Sequence, residues 1–255
     1  MQRRTTARAV GALFVIATAA GAAGMALLGE PGTDPDREQV VGGACATTAG
    51  ALLVLVMAGA IAMIPPLLFP VLKEDGGEAM AVGYVVARTV EVVLVLPGAV
   101  GPLALVAAGR AAAEAAETAG TAETATARGA DAGLRAVAAW TDTYGAWGYP
   151  AASLFFCLSA VLLNRALLRS SLVPRALPVW GLVAVVPYLA DAVLVLFGVL
   201  GLTSPLHALL VVPLAVNEMA LALWLLVRGL SPRRDRGSGR PSPGSPRPAL
   251  PAEGP

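Results

Sequence analysis

AMAVGYVVARTVEVVLVLPGAVGPLALVAA, residues 79–108, is an apolar run interrupted near its middle by one cation, Arg88, and one anion, Glu91. The run exceeds the ~20 residues that an α-helix needs to cross a bilayer. A charge at membrane depth costs roughly 2.5–3.5 kcal/mol on insertion scales, so these two side chains are expected to face protein rather than lipid. Tyr84, Arg88 and Glu91 follow i, i+4, i+7 spacing, which sets all three on one face of the helix. At 1.5 Å per residue, Arg88 lies roughly 13 Å from Ala79, close to mid-bilayer.

Five other runs read the same way: Val10 to Leu28, Ala44 to Phe69, Gly148 to Leu168, Leu177 to Leu202, and Leu206 to Val227. The predicted fold is all-α, a bundle of six transmembrane helices within residues 1–230. Composition agrees: 56% of residues are hydrophobic and 14% charged, against roughly 25% charged in a soluble domain. Pro65, Pro66 and Pro70 are expected to end or bend the second span, and Pro97 and Pro102 to kink the third. The first run has the basic start and small-residue Ala20-Gly21-Ala22 of a signal peptide. Its apolar stretch exceeds a signal core, however, and it is read as a span.

Charge orients the bundle. With both termini in the cytoplasm, Arg3, Arg4, Arg8, Lys73, Arg165, Arg169, Arg175 and the arginines from Arg228 to Arg247 lie inside. Arg37, Arg110, Arg128 and Arg135 lie outside, so the positive-inside rule favours this placement. Residues 109–147, rich in Ala, Thr, Glu and Gly, read as a long mobile outer loop with some helical tendency. Trp140, Tyr144, Trp147 and Tyr149 read as a headgroup-level aromatic belt. Residues 231–255, made of Pro, Ser, Gly and Arg, read as a disordered cytoplasmic tail.

Asp191 and the pair Asn217 and Glu218 fall near the middle of the fifth and sixth spans, at the depth of Arg88. Tyr84, Arg88, Glu91, Asp191, Asn217 and Glu218 therefore form the candidate buried polar cluster, gathered away from lipid. One cation cannot balance three acids in low dielectric. At least one acid is expected to carry a proton at neutral pH, with Arg88 charged and bridging Glu91 or Glu218. Pro187 and Pro213 each free a backbone carbonyl a turn before an acid, as in the broken helices that line transporter sites. Asn164 and Arg165 are expected to snorkel to the surface, and His207 to be interfacial.

No Walker loop, GxSxG elbow, HExxH, CxxC or dinucleotide fingerprint appears. The chain has one histidine and two cysteines, Cys45 and Cys157. No catalytic residue, cofactor or metal is expected. The net charge of +1 points to no nucleic acid, and membrane lipids are the partner that composition implies. A single lysine among 18 basic residues, with abundant Ala, Gly and Pro, suggests a GC-rich bacterial genome and hence the bacterial plasma membrane. The function expected is that of a non-enzymatic structural or regulatory membrane protein whose charged cluster locks the helices; the alternative is a small-solute or proton-coupled transporter that uses the intramembrane acids.

A family likeness rests on several short motifs in order. They are Ala7-Arg8-Ala9-Val10-Gly11 opening the first span, Gly83-Tyr84 with Arg88 and Glu91, and Leu172-Val173-Pro174-Arg175. Gly181, Pro213 with Glu218, Trp224-Leu225 and Gly229-Leu230 follow. Over Thr5 to Leu230 the chain resembles the bacterial multi-pass membrane family known as domain of unknown function 4386. The resemblance implies about six spans and no established activity. It lends weight to Arg88, Glu91, Arg175 and Glu218 without assigning them a chemistry.

Overall fold

The computed structural model describes residues 3–29, 37–119, 125–170 and 172–230; the tail expected from residue 231 lies outside them. Among the described residues eight helices follow in order: α1 Arg3–Leu28, α2 Arg37–Gly42, α3 Ala44–Gly76, α4 Glu78–Val95, α5 Pro97–Ala119, α6 Ala125–Ser170, α7 Ala176–Leu196 and α8 Pro205–Val227. Six spans are long and apolar enough to cross a membrane, with α4 and α5 together making the third.

Pro97 makes the break between α4 and α5, because it has no N–H to continue the ladder. The prolines of α3 act differently: Pro65, Pro66 and Pro70 all lie inside a helix that continues to Gly76. They do not end it. Membrane helices tolerate prolines where neighbouring helices re-satisfy the freed backbone, and α3 is packed against α1, α4, α5 and α6.

The spans form a ring. α1 touches α3 and α8, α3 touches α4 and α5, both of these touch α6, α6 touches α7, and α7 touches α8. Glycines set the closest approaches. A Cβ on Gly11 of α1 would stand 2.7 Å from the Ala222 carbonyl oxygen of α8. A Cβ on either Gly24 of α1 or Gly50 of α3 would stand 3.0 Å from the other's carbonyl oxygen. In lipid the helices gain nothing by hiding apolar surface from one another, so close packing through small residues is what holds them.

The first crossing lies at the end of the bundle where α1 begins and α8 finishes, and Gly229 there sits against Arg4. That end is filled by the largest core cluster, which includes Val10, Phe14, Leu68, Leu72, Tyr84, Leu167, Leu221 and Leu225. On the outside, Val183, Val186, Leu209 and Val227 stand well exposed, as lipid-facing positions should.

The expected outer loop is instead a helical hairpin. α5 continues to Ala119, and α6 starts at Ala125 and runs unbroken through residue 147 into the fourth span. At 46 residues α6 is roughly 69 Å long, more than twice the ~30 Å hydrocarbon thickness. Its composition does form a packed seam: Ala112, Ala127, Leu134 and Ala138 are buried, and α5 and α6 lie against each other. Alanine is the best helix former, and its small side chain lets two helices approach without large apolar residues.

Candidate functional site

Arg88 is the hub of the bundle interior. Its guanidinium donates from Nη1 to both carboxylate oxygens of Glu91, at 3.0 and 3.1 Å. From Nη2 it donates to Glu218 on α8 at 3.2 Å. Three aromatic rings surround it: Phe156 of α6 at 5.1 Å, Tyr84 at 5.9 Å and Phe14 of α1 at 6.0 Å from their centroids. Such stacking suits a planar guanidinium. One side chain thus joins α1, α4, α6 and α8. Arg88 is 2% exposed, whereas the Glu218 side chain is 19% exposed.

Among the described residues, the Nε of Arg88 and the hydroxyl of Tyr84 are buried without a hydrogen-bond partner. A buried donor left unmade costs about 1–3 kcal/mol. Arg88, Glu91 and Glu218 also line a cleft of about 340 Å³. The lining runs from Phe14 to Met25 on α1, from Arg88 to Val95 on α4, from Tyr149 to Phe156 on α6 and from Val211 to Glu218 on α8. On each helix these residues extend from the level of Arg88 away from the end that holds α1's start. The ion cluster is therefore the floor of the cleft, and the large apolar core lies beneath it. Thr18, Ala22 and Met25 of α1 line the cleft and are exposed, so it reaches the bundle's outer surface beside α1. Apart from the floor the walls are mainly apolar, with Phe14, Tyr149, Phe156 and Tyr188 among them.

The other acid does not join. Asp191 pairs with His207 of α8, whose Nδ1 lies 2.9 and 3.0 Å from its two carboxylate oxygens. The reason is where α7 stops. The helix ends at Leu196, not Leu202, and Gly198 adopts a left-handed φ of 67° in the turn that follows. Asp191 is thus little more than a turn from the helix end rather than at mid-span. Ser204 accepts a hydrogen bond from Leu206 N and starts α8 with Pro205 in its first turn, which places His207 opposite Asp191. His207, at the third position of α8 and partly exposed, is thus an edge residue paired with the buried Asp191.

Asn217 also departs from the cluster. Adjacent helix residues point about 100° apart, since a turn takes 3.6 residues, so Asn217 and Glu218 cannot share a target. Asn217 donates from Nδ2 to the Leu177 carbonyl of α7 at 2.9 Å, a helix-to-helix tie. Asn164 does not snorkel: it is 5% exposed and donates to the Ala160 carbonyl at 2.9 Å. It packs on Gly181, where a Cβ would lie 2.5 Å from its Oδ1. Arg165 beside it is exposed. In the aromatic group, Trp140 stacks on Tyr144 at 5.6 Å, and Tyr144 donates to the Leu94 carbonyl at the α4–α5 break. Trp140 and Trp147 stand exposed, and Tyr149, also exposed, lines the cleft. Sequence reading missed Phe14 and Phe156; a mid-span aromatic next to a mid-span arginine on another helix was the available signal.

Residues 9–229 match the family described as Domain of unknown function (DUF4386). The chain belongs to the DUF4386 family. The match covers the whole Arg88 cluster and all six spans, save residues 3–8 at the start of α1. Comparison with curated proteins and with solved structures gave no match. Among the described residues, no group of three or more His, Cys, Asp or Glu side chains could hold a metal ion.

Proposed function

We propose that this DUF4386 protein is a non-enzymatic carrier in the bacterial cell membrane, with both termini cytoplasmic, and that it holds a small amphipathic cation in the cleft above Arg88. The observation that carries the reading is Glu218. Its carboxylate is shared with Arg88, yet it is the partly exposed member of the triad and lines the cleft. With both glutamates ionised the floor holds one cation against two anions, an imbalance that a bound cation offsets. The aromatic walls fit an apolar cation body, since a desolvated cation over an aromatic face gains roughly 2 kcal/mol. The packed core closes the cleft toward the end where α1 begins, and the exposed α1 residues that line it give a ligand a way in from the bundle surface.

Tetraphenylphosphonium binding to the protein in lipid nanodiscs tests this. Saturable binding is expected, with Glu218→Gln weakening it about tenfold, or ~1.4 kcal/mol. Absence of saturable binding in the wild type, or equal affinity in Glu218→Gln, would overturn the reading. It would favour the alternative that the Arg88 triad is a helix clamp, which its low exposure and four-helix contacts support.

A further inference from the structure

The Asp191–His207 pair is not needed to hold the Arg88 triad, yet it adjoins the same cleft. A second, small cavity of about 30 Å³ is lined by Asp191 and His207 together with Tyr149, Ser153, Tyr188 and Val211. Those last four residues also line the large cleft. One wall, with three hydroxyl groups in it, thus separates the pair from Glu91 and Glu218. Asp191 is 4% and His207 20% exposed, so the acid is buried and the imidazole is the member that meets the outside. His207 is the chain's lone histidine, and its ring carries a second nitrogen, Nε2, besides the Nδ1 paired with Asp191.

We infer that Asp191 and His207 form a proton-exchange site that serves the acids of the cleft floor, so that a proton competes with a bound cation for Glu218. The proton enters at Nε2 of His207, the ring nitrogen turned away from the pair. The proton on Nδ1 passes to the Asp191 carboxylate. From there the proton crosses the wall that the small cavity shares with the cleft, lined by Tyr188, Ser153 and Tyr149, to Glu218. Its arrival neutralises Glu218 and releases the bound cation, and the reverse passage readies the site again. The titratable groups facing Asp191 are Tyr149 from α6, Tyr188 from α7 itself and His207 from α8; Arg88, Glu91 and Glu218 lie across the shared wall. The inference rests on the carrier reading for what is bound, but its proton step is measurable without a ligand.

The test is a pH jump on the protein in nanodiscs, following the carboxylic C=O infrared band, with the band assigned by its loss in Glu218→Gln. In Asp191→Asn and in His207→Gln the relaxation is expected to slow about 100-fold, the low end of what a positioned proton-transfer group contributes. Asp191→Asn keeps a hydrogen-bonding partner for His207, so it guards against a folding defect in His207→Gln. Tetraphenylphosphonium affinity, measured on the same samples, is expected to stay within about twofold of wild type at a fixed pH. Relaxation at the wild-type rate in both variants, or no Glu218 band that responds to pH, would overturn the inference. Slowed relaxation without any cation binding would sustain it and sink the carrier reading instead.

Discussion

Arg88 on α4 and Glu218 on α8, separated by 130 positions in the chain, meet at 3.2 Å although their helices are not neighbours in the ring. The contact therefore spans the interior of the bundle rather than an interface between adjacent helices. Arg88 also holds Glu91, one turn on along its own helix, at 3.0 Å. The local pair fixes where the guanidinium points, and the distant one fixes how far α8 stands from α4.

Arg88→Met removes the cation and leaves two carboxylates facing each other in low dielectric. Breaking a buried pair from one side costs about 3–5 kcal/mol, whereas replacing the whole group by neutral side chains costs far less. The expected order of thermal stability in detergent is wild type, then the triple variant Arg88→Met, Glu91→Gln, Glu218→Gln, then Arg88→Met alone. Losses that simply add across the three positions would contradict a coupled triad.

Gly181 and Asn164 are expected to be coupled as well. A Cβ at position 181 would fall 2.5 Å from the Asn164 side chain, so Gly181→Ala should destabilise by about 1–3 kcal/mol through overpacking. Asn164→Ala should recover most of that loss when the two are combined. If Gly181→Ala is silent, or the second change gives no relief, the packing described for α6 and α7 is wrong.

The α1–α8 crossing admits a paired comparison. Gly11→Val drives a side chain toward the Ala222 carbonyl at 2.7 Å and should lower stability by about 1–3 kcal/mol. Gly59 has open space around its missing Cβ, so Gly59→Ala should be neutral or stabilising by up to about 1 kcal/mol, since alanine is the better helix former. Equal thermal shifts for the two variants would count against the close approach.

Topology can be read with the native thiols. Cys45 is exposed at the start of α3 and Cys157 is buried. With cytoplasmic termini, a membrane-impermeant maleimide added to intact cells should label Cys45 and leave Cys157 untouched. Labelling of Cys45 only after the membrane is opened would reverse the orientation.

Much of the site could be read along the chain wherever local geometry decides it. Tyr84, Arg88 and Glu91 share a face because helix periodicity alone puts them there, and Glu218 was reachable because an arginine at membrane depth needs a second-helix partner. Asp191 misled for a local reason with a global effect. Hydropathy continues past Leu196 to Leu202, so the span seemed longer and the acid deeper than the helix makes it. The helices over residues 109–119 and 125–147 show in helix propensity and not in apolar content; Ala112, Ala127 and Ala138 pack by being small.

The linear pattern was sufficient to set six helices long and apolar enough to cross a membrane, because hydrocarbon thickness acts on each segment separately. Which acid answers that arginine, why Asp191 turns to His207 instead, and that the charged group floors an open cleft were decided only when the ring closed. Those outcomes depend on the rotation of each helix about its own axis, set by ties such as Asn164 on Gly181 and Asn217 on the Leu177 carbonyl, and on where α7 terminates, at the turn through Gly198.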